Sequence, residues 1–133
     1  MRVFTSAVLA GLVLGLAAPA GAHHSFAMFD QARIVQFKGT VKDFQWINPH
    51  AVVWVVAEPK AGAAPDVWTI ELTSPGNLTR MGWTRKALKP GDRVDVQLHP
   101  LRDGQHGGSL SKVVLTDTGQ VLTSSLAPVK PGS

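Results

Sequence analysis

The sequence predicts an all-β fold, β-rich with one short helix: a small five-stranded OB-like Greek-key barrel placed after a cleaved signal peptide. Three observations predict it. Apolar and polar residues alternate with a period of two in several separate stretches. A single capped helix falls between the third and fourth of them. The first strand is long and changes phase near a glycine, as a coiled barrel strand does.

The chain has 133 residues, enough for one domain. Its first 22 residues have the pattern of an export signal. Arg2 gives a positive start, Val8 to Ala18 is apolar, Pro19 breaks the run, and Ala20-Gly21-Ala22 is a small-x-small cleavage site. The apolar run is shorter than the ~20 residues that span a bilayer, so the mature protein is expected to have no transmembrane span. Cleavage after Ala22 leaves a chain starting at His23, periplasmic or secreted. With no cysteine, neither disulfides nor a cysteine-linked lipid anchor is available. The formal net charge of +4 loses one unit with Arg2. The remaining basic residues are dispersed apart from Arg85-Lys86-Lys89, which argues against nucleic acid as a partner.

Residues 23–32 form an N-terminal leader without clear period, 33–123 the barrel, and 124–133 a tail expected to fray. Within the barrel, residues 33–46 read as a strand with Val35, Phe37, Gly39 and Val41 on one face, and Phe44 and Trp46 out of phase with them. Asn48-Pro49 turns the chain. Ala51 to Ala57 is a continuous apolar run, expected to be buried on both faces. Glu58 to Asp66 is a hairpin loop. Trp68, Ile70 and Leu72 then face inward, with Thr69, Glu71 and Thr73 on a wet face. Ser74 caps a helix over about 75–81 that has Pro75 in its first turn and Gly82 after its end. Thr84 can start one further turn, and Lys89-Pro90-Gly91-Asp92 is a tight turn. Val94, Val96 and Leu98 point inward from a fourth strand. Asp103 to Gly108 reads as a loose glycine loop, Leu110 to Thr116 as the fifth strand, and Val121-Leu122 as a short added pairing.

The sharpest chemical feature is the new terminus. His23 would offer a free α-amine and its own imidazole, and His24 a second imidazole beside it. Nitrogen donors in a tetragonal arrangement favour copper, which tops the divalent affinity series. At neutral pH both donor types are available in neutral form. His50, in the first loop, and His106, in the loop between strands four and five, are the candidates for a further ligand, because these loops flank the usual binding face of an OB barrel. His99 lies on the outer face of strand four and is the weaker choice. The bland readings stand beside these: a soluble histidine leader without a metal role, a leader that docks on the barrel through Phe26, Met28 and Phe29, and a His50 ring that bonds the turn backbone. Trp54 and Trp68 are expected in the core. Trp46, Asn48 and Trp83 are the candidate ligand or partner contacts, with capping of the barrel end as the competing role for the two tryptophans.

No catalytic constellation is recognisable. There is no cysteine nucleophile, no G-x-S-x-G elbow, no phosphate-cradling glycine loop and no paired carboxylates.

The string His23-His24-Ser25-Phe26-Ala27-Met28-Phe29-Asp30, with Gly39-Thr40-Val41, Trp46-x-Asn48-Pro49-His50, Gly82-Trp83-Thr84, Leu88-Lys89-Pro90-Gly91-Asp92 and Arg102-Asp103-Gly104, resembles a bacterial exported (periplasmic) family, domain-of-unknown-function family 6152. The resemblance covers most of residues 23–117. It implies a small periplasmic β-barrel and carries no activity and no catalytic residue with it.

The expectation is a small exported barrel that binds copper through the mature N-terminal histidine. The alternative is a structural or interaction module whose barrel face or leader strand docks a periplasmic protein, with no metal role. The two differ in where the leader lies and in what His23 and His24 meet.

Overall fold

The computed structural model describes residues 24–126. Two short helices and six strands follow in order: α1 (His24–Ala27), β1 (Val35–Gln45), β2 (Val52–Ala57), β3 (Val67–Glu71), α2 (Pro75–Arg80), β4 (Arg93–Pro100), β5 (Gly107–Leu115) and β6 (Val121–Thr123). Antiparallel pairs β1–β2, β2–β3, β1–β4 and β4–β5 are completed by a parallel pair, β3–β5. The circuit 1-2-3-5-4-1 is therefore a closed five-stranded Greek-key barrel of OB type, with β6 added along β5.

β1 serves two neighbours. Val35 to Thr40 pair with β4, and Gly39 to Gln45 pair with β2. Turning one strand from one partner to the other demands strong coiling, and Gly39 sits where the two registers overlap. A Cβ there would collide with the Val56 carbonyl and come within 2.7 Å of Val55 Cγ1. The register against β2 slips between Val41 and Asp43, which is the physical origin of the phase change read from the sequence.

The interior is filled by rows from each strand: Val53 and Val55, Ile70 and Leu72, Val94, Val96 and Leu98, Leu110 and Val113, all buried. The connection from β3 to β4 plugs one end with Leu78, Trp83 and Leu88. That connection starts as the sequence indicates. Ser74 Oγ accepts from the Asn77 amide at 3.3 Å, Pro75 occupies the first turn, and Gly82 takes φ 89° just after the helix. Ala87 N donates to Thr84 O, which makes the extra turn.

Five expectations are corrected. β2 is not buried on both faces: Val53 and Val55 point inward, while Val52, Trp54 and Val56 lie half-buried on the outside, so Trp54 is not a core residue. The glycine loop is shorter than expected, because Gly107, Gly108 and Ser109 already belong to β5 and pair with Thr69, Ile70 and Glu71. Thr73 is buried rather than wet, and Ser124 is buried rather than frayed. They meet through a hydrogen bond from Thr73 N to Ser124 Oγ of 3.1 Å. Trp83, a candidate ligand contact, is only 1% exposed, and its indole N–H donates to Thr123 O at 2.7 Å. Its role is to plug the barrel and tie down the end of β6. Residues 1–22, expected to be an export signal, His23 and residues 127–133 lie outside the described residues.

Three substitutions test this packing. At Gly108 a Cβ would run into the His99 carbonyl and approach Leu98 Cδ1 to 2.6 Å. Gly108→Ala should lose about 3 kcal/mol in urea unfolding, the upper range for overpacking. Gly76→Ala, where nothing lies within 4 Å, should be neutral or gain up to about 1 kcal/mol. Trp83→Phe should lose about 1 kcal/mol, as the indole hydrogen bond to the Thr123 carbonyl is lost.

Candidate functional site

The parallel β3–β5 pairing shapes the site. His106 O accepts from Thr69 N at 3.1 Å, and Leu101 N donates to Gly107 O at 3.0 Å. The loop from Arg102 to His106 is thereby held beside the edge of β3. The His106 ring stacks on Trp68, with centroids 5.1 Å apart and planes at 26°. Trp68 in turn tilts against Phe37 at 4.9 Å. His106 Nδ1 lies 3.5 Å from the Asp66 carboxylate in the β2–β3 loop.

The leader returns to this loop. Phe29, 2% exposed, forms an isolated antiparallel bridge with Leu101. Asp30 N donates to Pro100 O at 2.8 Å, and Arg102 N donates to Met28 O at 2.9 Å. The Arg102 side chain clasps it from outside: Nε donates to Ala27 O at 3.0 Å, and Nη1 stands 3.9 Å from Asp30 Oδ1. The leader is thus a docked strand, and Phe29 is its apolar anchor.

Between leader, sheet and loop lies an open cleft of about 320 Å³. Met28 and Phe29 form one wall, Leu101, Gln105 and His106 another, and Val52, Thr69 and Glu71 the sheet side. Gly107 and Gly108 complete the lining. No side chain projects from these two glycines, so the backbone itself lines that part of the cleft.

His50 stands just before β2, after the cis Asn48-Pro49 peptide. The pairing of Val52 with Glu71 sets His50 diagonally across from Glu71, on the outer face of the barrel. Its Nδ1 is hydrogen-bonded to Glu71 Oε1, and both side chains are roughly one-quarter exposed. A carboxylate accepts, so Nδ1 is the donor of this pair. The pair bridges two strands.

The sequence-derived candidates are distributed as follows. His50 and His106 both flank the binding face but do not meet. His50 is held by Glu71 and His106 by Trp68 and Asp66, partners three residues apart on β3 or beyond its start, roughly 10 Å of strand rise. Among the described residues, no three His, Asp or Glu side chains cluster as a metal site. His24 begins α1, and His23 lies outside the described residues. His99 Nδ1 is 2.9 Å from Arg33 O. Trp46 is half-buried and packs edge-on against Phe44 at 6.0 Å, and Asn48 is exposed in the first loop. Glu71 and Arg102 are not among the sequence-derived candidates, and Met28 enters there only as an apolar contact of a docking leader. Glu71 was within reach of that reading, because the β2–β3 hairpin register aligns its wet face with His50. Met28 and Arg102 depend on the leader's return, for which the residues carry no periodic signal.

Arg102→Ala should loosen the leader and spare the barrel. Losing one hydrogen bond and an exposed ion pair is about 1.5 kcal/mol locally. Hydrogen exchange at the Phe29 and Asp30 amides should rise roughly tenfold, while global stability changes by less than about 1 kcal/mol.

The comparisons add a family and no function. A model of a family of unknown function, DUF6152, matches residues 10–111. No curated protein and no solved structure matches the chain. With the family model covering most of its length, the chain belongs to the DUF6152 family.

Proposed function

We propose that this protein is an exported metal-holding barrel that binds one copper(II) ion through its mature N-terminal histidine. Cleavage after Ala22 frees the amine of His23, in the periplasm or outside the cell. That amine and the His23 ring supply two nitrogens, and an imidazole of the barrel supplies a third. His24 is a further neighbouring donor. Such a nitrogen set suits copper better than zinc or the hard cations.

The observation that carries the reading is the docking of the leader. Met28 and Phe29 line the same cleft as His106 and Glu71, the partner of His50. α1 spans only His24–Ala27, so the helix start is about 6 Å of helical rise before Met28. Anchoring of the leader at Phe29 supports the reading, because only six residues, 23–28, would separate that anchor from the mature terminus, which lowers the ordering cost of bringing donors to the cleft that His106 lines.

One observation favours the interaction reading. The outer face carries Val52, Trp54 and Val56 half-buried and Val67 exposed, an apolar strip beside the cleft. It is compatible with metal holding, since a carrier must present its cargo to a protein.

The test is calorimetry and electron paramagnetic resonance of the exported protein, its His23 start established by mass spectrometry, titrated with copper(II) in a glycine-buffered solution. One-to-one binding below micromolar, weakened at least a hundredfold by acetylating the α-amine, is the expected result. A terminus at another residue, or binding that acetylation leaves unchanged, overturns the reading. The apolar strip would then be the remaining feature to pursue.

A further inference from the structure

We infer that the cleft between the leader and β3 is a binding site for a small organic ammonium ion with an apolar body, and that Glu71 receives its N–H. The inference goes beyond the copper reading above and does not depend on it.

Charge is the first feature that selects this ligand. The chain carries 13 Lys and Arg against 9 Asp and Glu. Among the described residues, none of these cations lines the cleft, and Glu71 is its one carboxylate. Arg102, in the neighbouring loop, is engaged with the Ala27 carbonyl and stands 3.9 Å from Asp30 Oδ1. His106 lines the cleft too, with its ring stacked on Trp68. A carboxylate offers roughly four lone-pair sites, and the His50 ring takes one of them. The Glu71 side chain is 26% exposed, so a ligand can reach it, yet it is less screened than a surface carboxylate.

The walls and the floor select the rest of the ligand. Met28 and Phe29 stand on the leader side, with Val52 and Leu101 among the residues facing them. Phe29 is buried, whereas Met28 keeps 48% of its surface exposed although its backbone is docked. An unbranched thioether adapts its shape to an apolar guest. Gly107 projects no side chain, so an alkyl or aryl body can lie against the backbone. A Cβ there would already come within 2.7 Å of Leu101 Cδ1. The volume of about 320 Å³ is at the lower end for small-molecule sites, which suits a compact amine.

The neighbouring clefts have no such bias. The one under the β2–β3 hairpin sets Lys60 beside Glu58 and Asp66. The one beside Gly39 sets Lys38 and Arg93 beside Glu58. Each mixes both signs of charge.

The experiment is an NMR titration of the exported protein with three probes of similar size: 2-phenylethylammonium, 2-phenylethanol and phenylacetate. A chelator keeps copper out, so the result leaves the terminal-amine reading where it stands. The ammonium ion should saturate with a dissociation constant of about 1 mM or below. The alcohol should bind roughly tenfold more weakly, the worth of one charge-assisted hydrogen bond, and the carboxylate should not bind. Shifts should concentrate at the Gln105, Gly107 and Gly108 amides and the Met28 methyl group. Glu71→Gln, whose side-chain carbonyl still accepts from His50, should bring the ammonium ion down to the affinity of the alcohol. Met28→Ala should weaken both alike, and Asp66→Asn, in the hairpin cleft, should change neither. An ammonium ion that does not saturate, that binds no better than the alcohol, or whose advantage survives Glu71→Gln overturns the inference. Shifts centred on the hairpin cleft overturn it as well.

Discussion

Closure through the parallel β3–β5 pair is the constraint on which the rest of this structure depends. Four antiparallel pairs can form by local hairpins and neighbouring strands, yet they leave β3 and β5 as free edges. The parallel pair joins them, and it is made at Gly107 and Gly108. A side chain at Gly108 would meet the backbone of His99, and one at Gly107 would meet Leu101 and the Thr69 carbonyl. Bare backbone is what lets β5 start between β3 and β4. Without this junction the inward rows of Ile70, Val96 and Leu110 would face solvent along an open seam, and an unpaired edge would invite association with other chains.

The same junction organises the outer surface. Because β5 begins at Gly107, the loop from Arg102 to His106 is short and tied at both ends, and it becomes a rigid ledge. The leader docks on that ledge through main-chain hydrogen bonds to Pro100 and Arg102, and the buried Phe29 ring supplies the apolar contact. Fixing about five leader residues costs backbone entropy on the order of 1–2 kcal/mol each. The burial of one phenylalanine, at about 1.5–3 kcal/mol, does not offset this alone. Two main-chain hydrogen bonds and the Arg102 clasp add to it.

How much of this was legible in the residues differs by element. Alternation at Val94, Val96 and Leu98 and at Trp68, Ile70 and Leu72 gave the inward rows correctly, and Ser74-Pro75 marked the helix start, because one local rule dominates in each place. The run Ala51 to Ala57 misled because hydrophobicity was taken as burial. Val52, Trp54 and Val56 are apolar on an outer face, where β-branched and aromatic residues suit a strand without being enclosed. The start of β5 was missed for the opposite reason: glycines and histidine carry a loop composition, and only a partner strand from elsewhere in the chain turns them into a ladder. The leader had no period to read. Its fold is set by tertiary contacts with Leu101 and Arg102, more than seventy residues away.

The candidate site shows the same division between what is local and what is relational. That His50 and His106 would border one face followed from loop positions in the barrel. Their inequivalence did not, since it arises from neighbours on β3: a carboxylate diagonal to His50, and an indole under His106. A strand alternates its side chains between faces, so residues 68 and 71 present different surroundings to two histidines that look alike in sequence. The indole makes His106 part of a packed ring stack, whereas the carboxylate orients His50. Glu71 and Trp68 therefore separate a histidine held by a carboxylate from a histidine held by an indole.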